Sequence, residues 1–331
     1  MAKGYTRRRA IAIFAAAAGL PLLTAAKAAS STVTWKGQAL GAPATLILNH
    51  EDRARAERLI DTVVAEVTRL ERAFSLYRDD TALSELNRVG ALVAPPQDLV
   101  ALLGSCQEFW NMSDGGFDPT IQPLWSLYRD HFTRPEADPS GPSAEKIRDT
   151  LDAVGFEGIR FDRDRIVLTR PKMALTLNGI AQGYVTDRIV DLLRDAGVTS
   201  SLVNMGENRA VGSRLDGTPW RIGLAERQDD AFPDVVLDVI DKAVATSSGM
   251  GFHFDKAQRF SHILDPRTGG AAALYRRVTV IADDATTADA LSTAFSLMDE
   301  TSIRSTLDRR SGVLVDLVRA DGGHRRFETR A

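Results

Sequence analysis

The stretch Leu175-Thr-Leu-Asn-Gly-Ile-Ala-Gln-Gly-Tyr184, continued by Val185-Thr-Asp-Arg-Ile-Val-Asp-Leu-Leu-Arg-Asp-Ala196 and closed by Ser201-Leu-Val-Asn-Met-Gly206, decides the fold. An apolar strand over 174–178 runs through a glycine turn into an amphipathic helix over 180–196, and a further strand follows over 202–205. Such helical connections are the exception in this chain. Strands predicted over 165–169, 220–224, 235–240 and 278–281 are mostly joined by turns. That pattern predicts an α+β protein with mixed, largely antiparallel sheets flanked by helices, and argues against a doubly wound parallel sheet.

Working outward, residues 32–48 read as two short strands broken at Gly41-Ala42-Pro43, and 52–74 as a helix carried by Leu59, Val63, Val67 and Leu70. A second helix is predicted over 97–112, ended by Asp114-Gly115-Gly116, and a third is capped by Ser143. Helices over 287–298 and 302–309 and a strand over 312–318 complete the chain. Residues 134–142 form a loop too short for a domain linker. The opening Thr6, Arg7, Arg8, Arg9, the apolar run 10–23 and Ala26-Lys27-Ala28 have the form of a twin-arginine export signal. The run is shorter than the roughly 20 residues that span a bilayer, so the expectation is removal, not a stable membrane span. The expected organisation is a signal over 1–28 and one catalytic unit over 29–331, in the periplasm.

With 331 residues and a net charge of −3, the chain has no basic excess for a nucleic-acid backbone. Cys106 is the single cysteine, so no internal disulfide exists, and its place among Leu99, Leu103 and Trp110 reads as core, with no His or Asn pattern for a thiol nucleophile.

Four segments carry chemistry. The first pairs Tyr77, just after a helix, with Gly115-Gly-Phe-Asp-Pro-Thr-Ile-Gln-Pro123. It is either a turn with an exposed aromatic or a platform that stacks a planar ring. The second is the turn at Gly179 to Gln182, which aims helix N–H groups at an anion or is simply a tight packed turn. The third joins Ala243-Val-Ala-Thr-Ser-Ser-Gly249 to Ser261-His-Ile-Leu-Asp-Pro-Arg-Thr-Gly269. There His262 is either structural or a proton carrier, with Asp265 and Arg267 as neighbours suited to proton transfer and phosphate charge. The fourth is Ile281-Ala-Asp-Asp-Ala-Thr-Thr-Ala-Asp-Ala-Leu-Ser-Thr293. Asp289 and Thr293 share one face of a helix start and offer hard oxygens to Mg²⁺, against the alternative that Thr286 or Thr287 caps the helix and the acids favour its dipole.

Taken together and in this order, SHILDPRTG, TADALST, GGFDPTIQPLW and NGIAQGYVTDRIVDLLRDAGV with SLVNMG resemble the ApbE family of FAD:protein FMN transferases, over about residues 37–317. The twin-arginine start further resembles its NosX branch, associated with nitrous oxide respiration. The resemblance implies that FAD is the substrate, lined by Tyr77, Gly116, Phe117, Asp118, Thr176, Gln182, Ser247 and His262. It implies Mg²⁺ held by Asp289, Thr293 and a backbone oxygen near Gly179, with His262 and Asp289 catalytic. The implied acceptor is a Ser or Thr of a partner protein, expected to be a membrane-bound respiratory subunit, with AMP leaving. Thr176, Gln182 and Leu40-Gly41-Ala42 depart from the family's usual Asp, its Lys or Glu, and its Met-Gly-Thr. Two alternatives follow: an FAD pyrophosphatase releasing FMN and AMP, and a non-catalytic flavin-binding maturation factor.

Overall fold

The computed structural model describes residues 31–224 and 233–329, and the expected export signal lies outside the described residues. Strands β1 (Ser31–Ala39) and β2 (Ala42–His50) are followed by helices α1 (Arg53–Phe74) and α2 (Ala82–Val89), strand β3 (Ala91–Val93), and helices α3 (Gln97–Met112), α4 (Gln122–Phe132) and α5 (Ala144–Leu151). Short strands β4 (Ile159–Phe161) and β5 (Arg165–Leu168) lead to helix α6 (Ala181–Asp195), then β6 (Ser201–Asn204), β7 (Asn208–Val211), β8 (Trp220–Leu224), β9 (Val235–Val239), β10 (Ala243–Ser248) and β11 (Tyr275–Ala282). Helices α7 (Ala285–Phe295) and α8 (Glu300–Leu307) and strands β12 (Leu314–Arg319) and β13 (His324–Glu328) end the chain.

The frame is an eight-stranded antiparallel sheet in the order β1-β2-β6-β7-β10-β11-β12-β13. Two-residue alternation sorts its side chains onto two faces. Leu46, Val203, Val211, Ala245 and Val280 join the main core with α1, α6 and α7. Their neighbours Ile47, Leu202, Ala210, Val244 and Ile281 point the other way, where the β8–β9 hairpin covers them with Trp220, Ile222 and Leu237. The chain is thus the α+β protein expected.

Helix starts follow local chemistry. Asp52 caps α1 through the Arg55 N–H at 3.0 Å, and α1 buries Ala56, Val63, Val67, Leu70 and Phe74 along one stripe. Two expectations are corrected. The first hairpin turns at Leu40-Gly41, not at Gly41-Ala42-Pro43: Ala42 and Pro43 already pair with Ala39 and Gln38. Both turn residues have positive φ, 49° and 77°, as a two-residue hairpin of this hand requires. Leu40 accepts that backbone because it is buried in the core and its N–H donates to Glu71. The second correction concerns 174–178, which forms no strand and belongs to no sheet, its last residue already lying in the turn that enters α6. The Asn87 carboxamide takes the place of a neighbouring strand, accepting from Leu175 N at 2.6 Å and donating to Leu175 O at 2.8 Å, while Thr176 N donates to Pro119 O. The strand predicted over 165–169 is β5, whereas strands β3, β4, β7, β10 and β13 and helices α2 and α4 went beyond what periodicity indicated, because short elements give too few repeats to read.

Helix α6 crosses α7 at unusually close range. A Cβ built on Gly183 would lie 2.2 Å from Ala285 O and 2.8 Å from Thr286 Cα, both backbone atoms that cannot step aside. Gly183→Ala should therefore lower stability by about 1–3 kcal/mol despite alanine's better helix propensity. Gly104→Ala in α3, with nothing within 4 Å of the added methyl, should raise it by about 0.5–1 kcal/mol. Urea midpoints of the two variants check the pair; equal shifts would contradict the close crossing.

Candidate functional site

One cavity collects most of the residues singled out in the sequence. Its walls are the Gly116–Asp118 loop after α3, the 176–182 segment entering α6, the β6–β7 turn at Gly206-Glu207, the end of β10, the His262 turn and the flank of α7 that bears Asp289 and Thr293.

Helix α7 supplies Asp289 and Thr293, both in the cavity wall. Its cap is Asp284, which accepts from Thr287 N at 2.7 Å and the Thr287 hydroxyl at 2.9 Å, so the cap expected at Thr286 or Thr287 sits earlier. A carboxylate out-competes a hydroxyl for the helix N–H groups. Capping therefore leaves Asp289 for another task. It is 4% exposed, and its Oδ2 accepts from Gly183 N at 2.9 Å. Gly179 approaches so closely that a Cβ there would stand 2.9 Å from Thr293 Oγ1. Ser247 Oγ lies 3.4 Å from Thr293 Oγ1 and 2.8 Å from Ser292 Oγ. Gly179, Ser247, Asp289 and Thr293 therefore gather oxygen donors in one patch, a set suited to a hard divalent cation.

Gln182 is buried in the same wall, and its Nε2 makes no protein hydrogen bond among the described residues. A buried donor without a partner is costly, so it fits an acceptor atom of a bound ligand. Gly206, at φ 113°, leaves it space: a Cβ there would overlap the Gln182 amide.

The first segment divides. Gly116, Phe117 and Asp118 line the cavity, but the Asp118 carboxylate is occupied internally. It accepts from Thr120 N at 2.8 Å, Thr120 Oγ1 at 2.6 Å and Phe156 N at 3.0 Å, and burial pushes its pKa up. Asp118 therefore shapes the loop. Tyr77 is not among the lining residues; it is 42% exposed, beside Gly41 at the first hairpin. Thr176 lies in the wall with Asn178.

His262 Nδ1 lies 2.9 Å from Phe252 O, and a carbonyl only accepts, so Nδ1 carries the proton and Nε2 is the acceptor in the neutral ring. Asp265 and Arg267, expected to serve proton transfer and phosphate, instead pair with each other. Arg267 Nε and Nη2 donate to the Asp265 carboxylate at 2.9 Å each, and Nη2 also reaches Leu297 O. Burial pushes the Asp265 carboxyl up, but the Arg267 contacts outweigh it and hold the pKa below the usual range. The pair thus stiffens the turn that presents His262. An aromatic lobe braces it: Tyr128 donates to Gly269 O at 2.9 Å, and Trp125, Phe252, Phe254 and Phe260 pack around Tyr128 and one another. Cys106 is fully buried with its pKa pushed up by desolvation, a core residue as expected.

The cavity also uses Trp125, Glu207, Thr246 and Leu297, to which sequence reasoning gave no role. Trp125 and Gly206 stood inside recognised motifs. Thr246 stood in the quoted stretch from Ala243 to Gly249, whereas Glu207 and Leu297 carried no signal of their own.

A model of the ApbE family matches residues 40–315, most of the chain and every segment of this cavity. The chain belongs to the ApbE family. A Vibrio cholerae FAD:protein FMN transferase is 27% identical over 277 residues, 81% of this chain and 80% of its own. The apo form of the flavinyl transferase ApbE of Pseudomonas stutzeri superposes with a TM-score of 0.73 at 26% identity, covering 91% of this chain and 96% of that one. The ApbE protein of Thermotoga maritima gives 0.76 at 28% identity, covering 90% and 98%. The antiparallel sheet with its helical layer is accordingly the ApbE fold.

The motif turn ends at Gly269, where φ is 75° and a Cβ would lie 2.3 Å from Ile147 Cγ2 of α5. Gly269→Ala should cost about 1–3 kcal/mol. Gly270→Ala, whose nearest contact is 3.5 Å away, should be nearly neutral in the same denaturation assay.

Proposed function

We propose that this chain is an FAD:protein FMN transferase, moving FMN from FAD onto a Ser or Thr hydroxyl of a partner protein in a Mg²⁺-dependent reaction. The observation that carries the reading is the convergence of Asp289, Thr293 and Gly179 with His262 and the unpartnered Gln182 amide on one cavity. The names of the ApbE relatives support the same activity.

The acceptor oxygen attacks the phosphorus of the FMN half of the FAD pyrophosphate, the bond to the AMP phosphate breaks, and AMP leaves. His262 Nε2 takes the proton of the acceptor hydroxyl, its tautomer set by Phe252 O. Gln182 Nε2 donates to an oxygen of the bound dinucleotide. Phe117, packed edge-on against Phe109, offers an apolar wall to its ring system. Asp289, Thr293 and a backbone oxygen near Gly179 would hold Mg²⁺, which when bound would supply positive charge to offset that of the pyrophosphate and of the departing phosphate, a contribution of several kcal/mol. Gly183 N and Ser247 keep the Asp289 and Thr293 side chains oriented.

Residues 1–28 direct twin-arginine export to the periplasm in this reading, and the acceptor is a membrane-bound respiratory subunit of the kind matured for nitrous oxide reduction. Among the described residues no helix is long and apolar enough to cross a membrane, which is compatible with a partner supplying the membrane attachment.

The test incubates the protein with FAD, Mg²⁺ and the candidate partner, then reads covalent flavin fluorescence on the denatured partner. Asp289→Ala and chelation by EDTA should each abolish labelling, and His262→Asn should slow it by about 10²–10⁴-fold. AMP and free FMN without any labelled partner would point to the pyrophosphatase instead. Stoichiometric FAD binding with no AMP release would leave a non-catalytic maturation factor.

A further inference from the structure

Asp187 has no part in the cavity lining and no role in the reading above, yet it makes the densest set of polar contacts between α6 and α7. Its Oδ1 accepts from Ala285 N at 2.8 Å and from Arg209 Nη1 at 2.7 Å. Its Oδ2 accepts from Thr286 N at 2.8 Å and the Thr286 hydroxyl at 2.6 Å. Residues 285 and 286 open α7, so their N–H groups have no acceptor inside that helix, and a carboxylate on a different helix supplies one. In the opposite direction, Asp289 on α7 accepts from Gly183 N on α6.

Gly183 and Asp187 are four residues apart on α6, and Ala285 and Asp289 four apart on α7, so each pair lies on one face of its helix. The two helices therefore exchange carboxylate and N–H at two levels, one turn apart, across the Gly183 close approach. Sliding or rotating α7 while keeping one exchange breaks the other. Arg209 extends the lock to β7 and hence to the sheet.

We propose that Asp187 is a positioning residue that fixes the register of α7, and so sets where Asp289 and Thr293 place their oxygens for the divalent cation. The proposal rests on the metal-dependent transfer given above. Partners that orient metal ligands from outside the coordination sphere typically change metal affinity by about 10–100-fold when removed. Asparagine at 187 keeps the shape but offers an N–H where the α7 N–H groups need an acceptor.

The experiment titrates Mn²⁺, observed by its EPR signal, into the purified FAD-loaded protein and follows urea unfolding in parallel. Asp187→Asn should weaken Mn²⁺ binding by about 10–100-fold, and Thr286→Val, which removes one contact to Asp187, should weaken it less. Asp316→Asn is the control for stability alone. Asp316 is a buried carboxylate outside the cavity, 3.2 Å from Arg277, and its loss should lower the unfolding midpoint without moving the Mn²⁺ affinity. Unchanged affinity in Asp187→Asn, with binding abolished in Asp289→Ala, overturns the positioning role and leaves the metal reading intact. Wild-type binding in Asp289→Ala overturns the metal reading itself. An equal affinity loss in Asp316→Asn would mark the Asp187 effect as general destabilisation and overturn the proposal. If Asp187→Asn does not fold, Thr286→Val decides, and unchanged affinity in that variant counts against the role.

Discussion

The contact on which the site depends is the crossing of α6 and α7, where Gly183 lets one helix backbone come within van der Waals reach of the other. Any side chain at that position would push the helices apart. At this distance a carboxylate of each helix reaches an N–H of its neighbour, so helix ends that would otherwise need water are satisfied inside the protein. The same crossing brings the 179–182 turn against the flank of α7 that bears Asp289 and Thr293. Packing and site geometry are therefore one constraint.

The opposite wall is organised differently. His262 is not held by a long element but by a turn whose charges neutralise each other, Asp265 with Arg267, and whose end is clamped by Tyr128 and Ile147. Its support comes from the satellite core around Leu124, Trp125, Tyr128 and Leu264, separate from the main core beneath the sheet. The cavity thus lies between two packed bodies of side chains, and Phe252 belongs to both the satellite core and the bond that sets the His262 tautomer.

The departures from the family pattern separate on structural grounds. Leu40 lies in the first hairpin, buried and tied to Glu71, outside the cavity lining, so its replacement is a matter of turn and core. Thr176 and Gln182 are in the wall itself. At Gln182 a neutral amide leaves a buried donor in the cavity wall, offering hydrogen bonding in place of charge at that point.

What the sequence alone determined was whatever is written within a turn or two of chain. That includes the α+β class, the cap at Ser143, the stripe that buries α1, the pairing of Asp289 and Thr293 on one helix face, and the order of motifs that marks the family. Only the tertiary structure decided which distant groups meet. Asn87 stands in for a strand beside Leu175 from 88 positions away, and Asp187 satisfies a helix end 98 positions on. Tyr77 stays beside the first hairpin while Leu297 and Glu207 enter the wall. The reason is physical: periodicity and capping depend on neighbours a few residues apart, whereas the partner of a buried carboxylate or amide depends on how closely whole elements can pack, and that is settled by side-chain volume at the crossings.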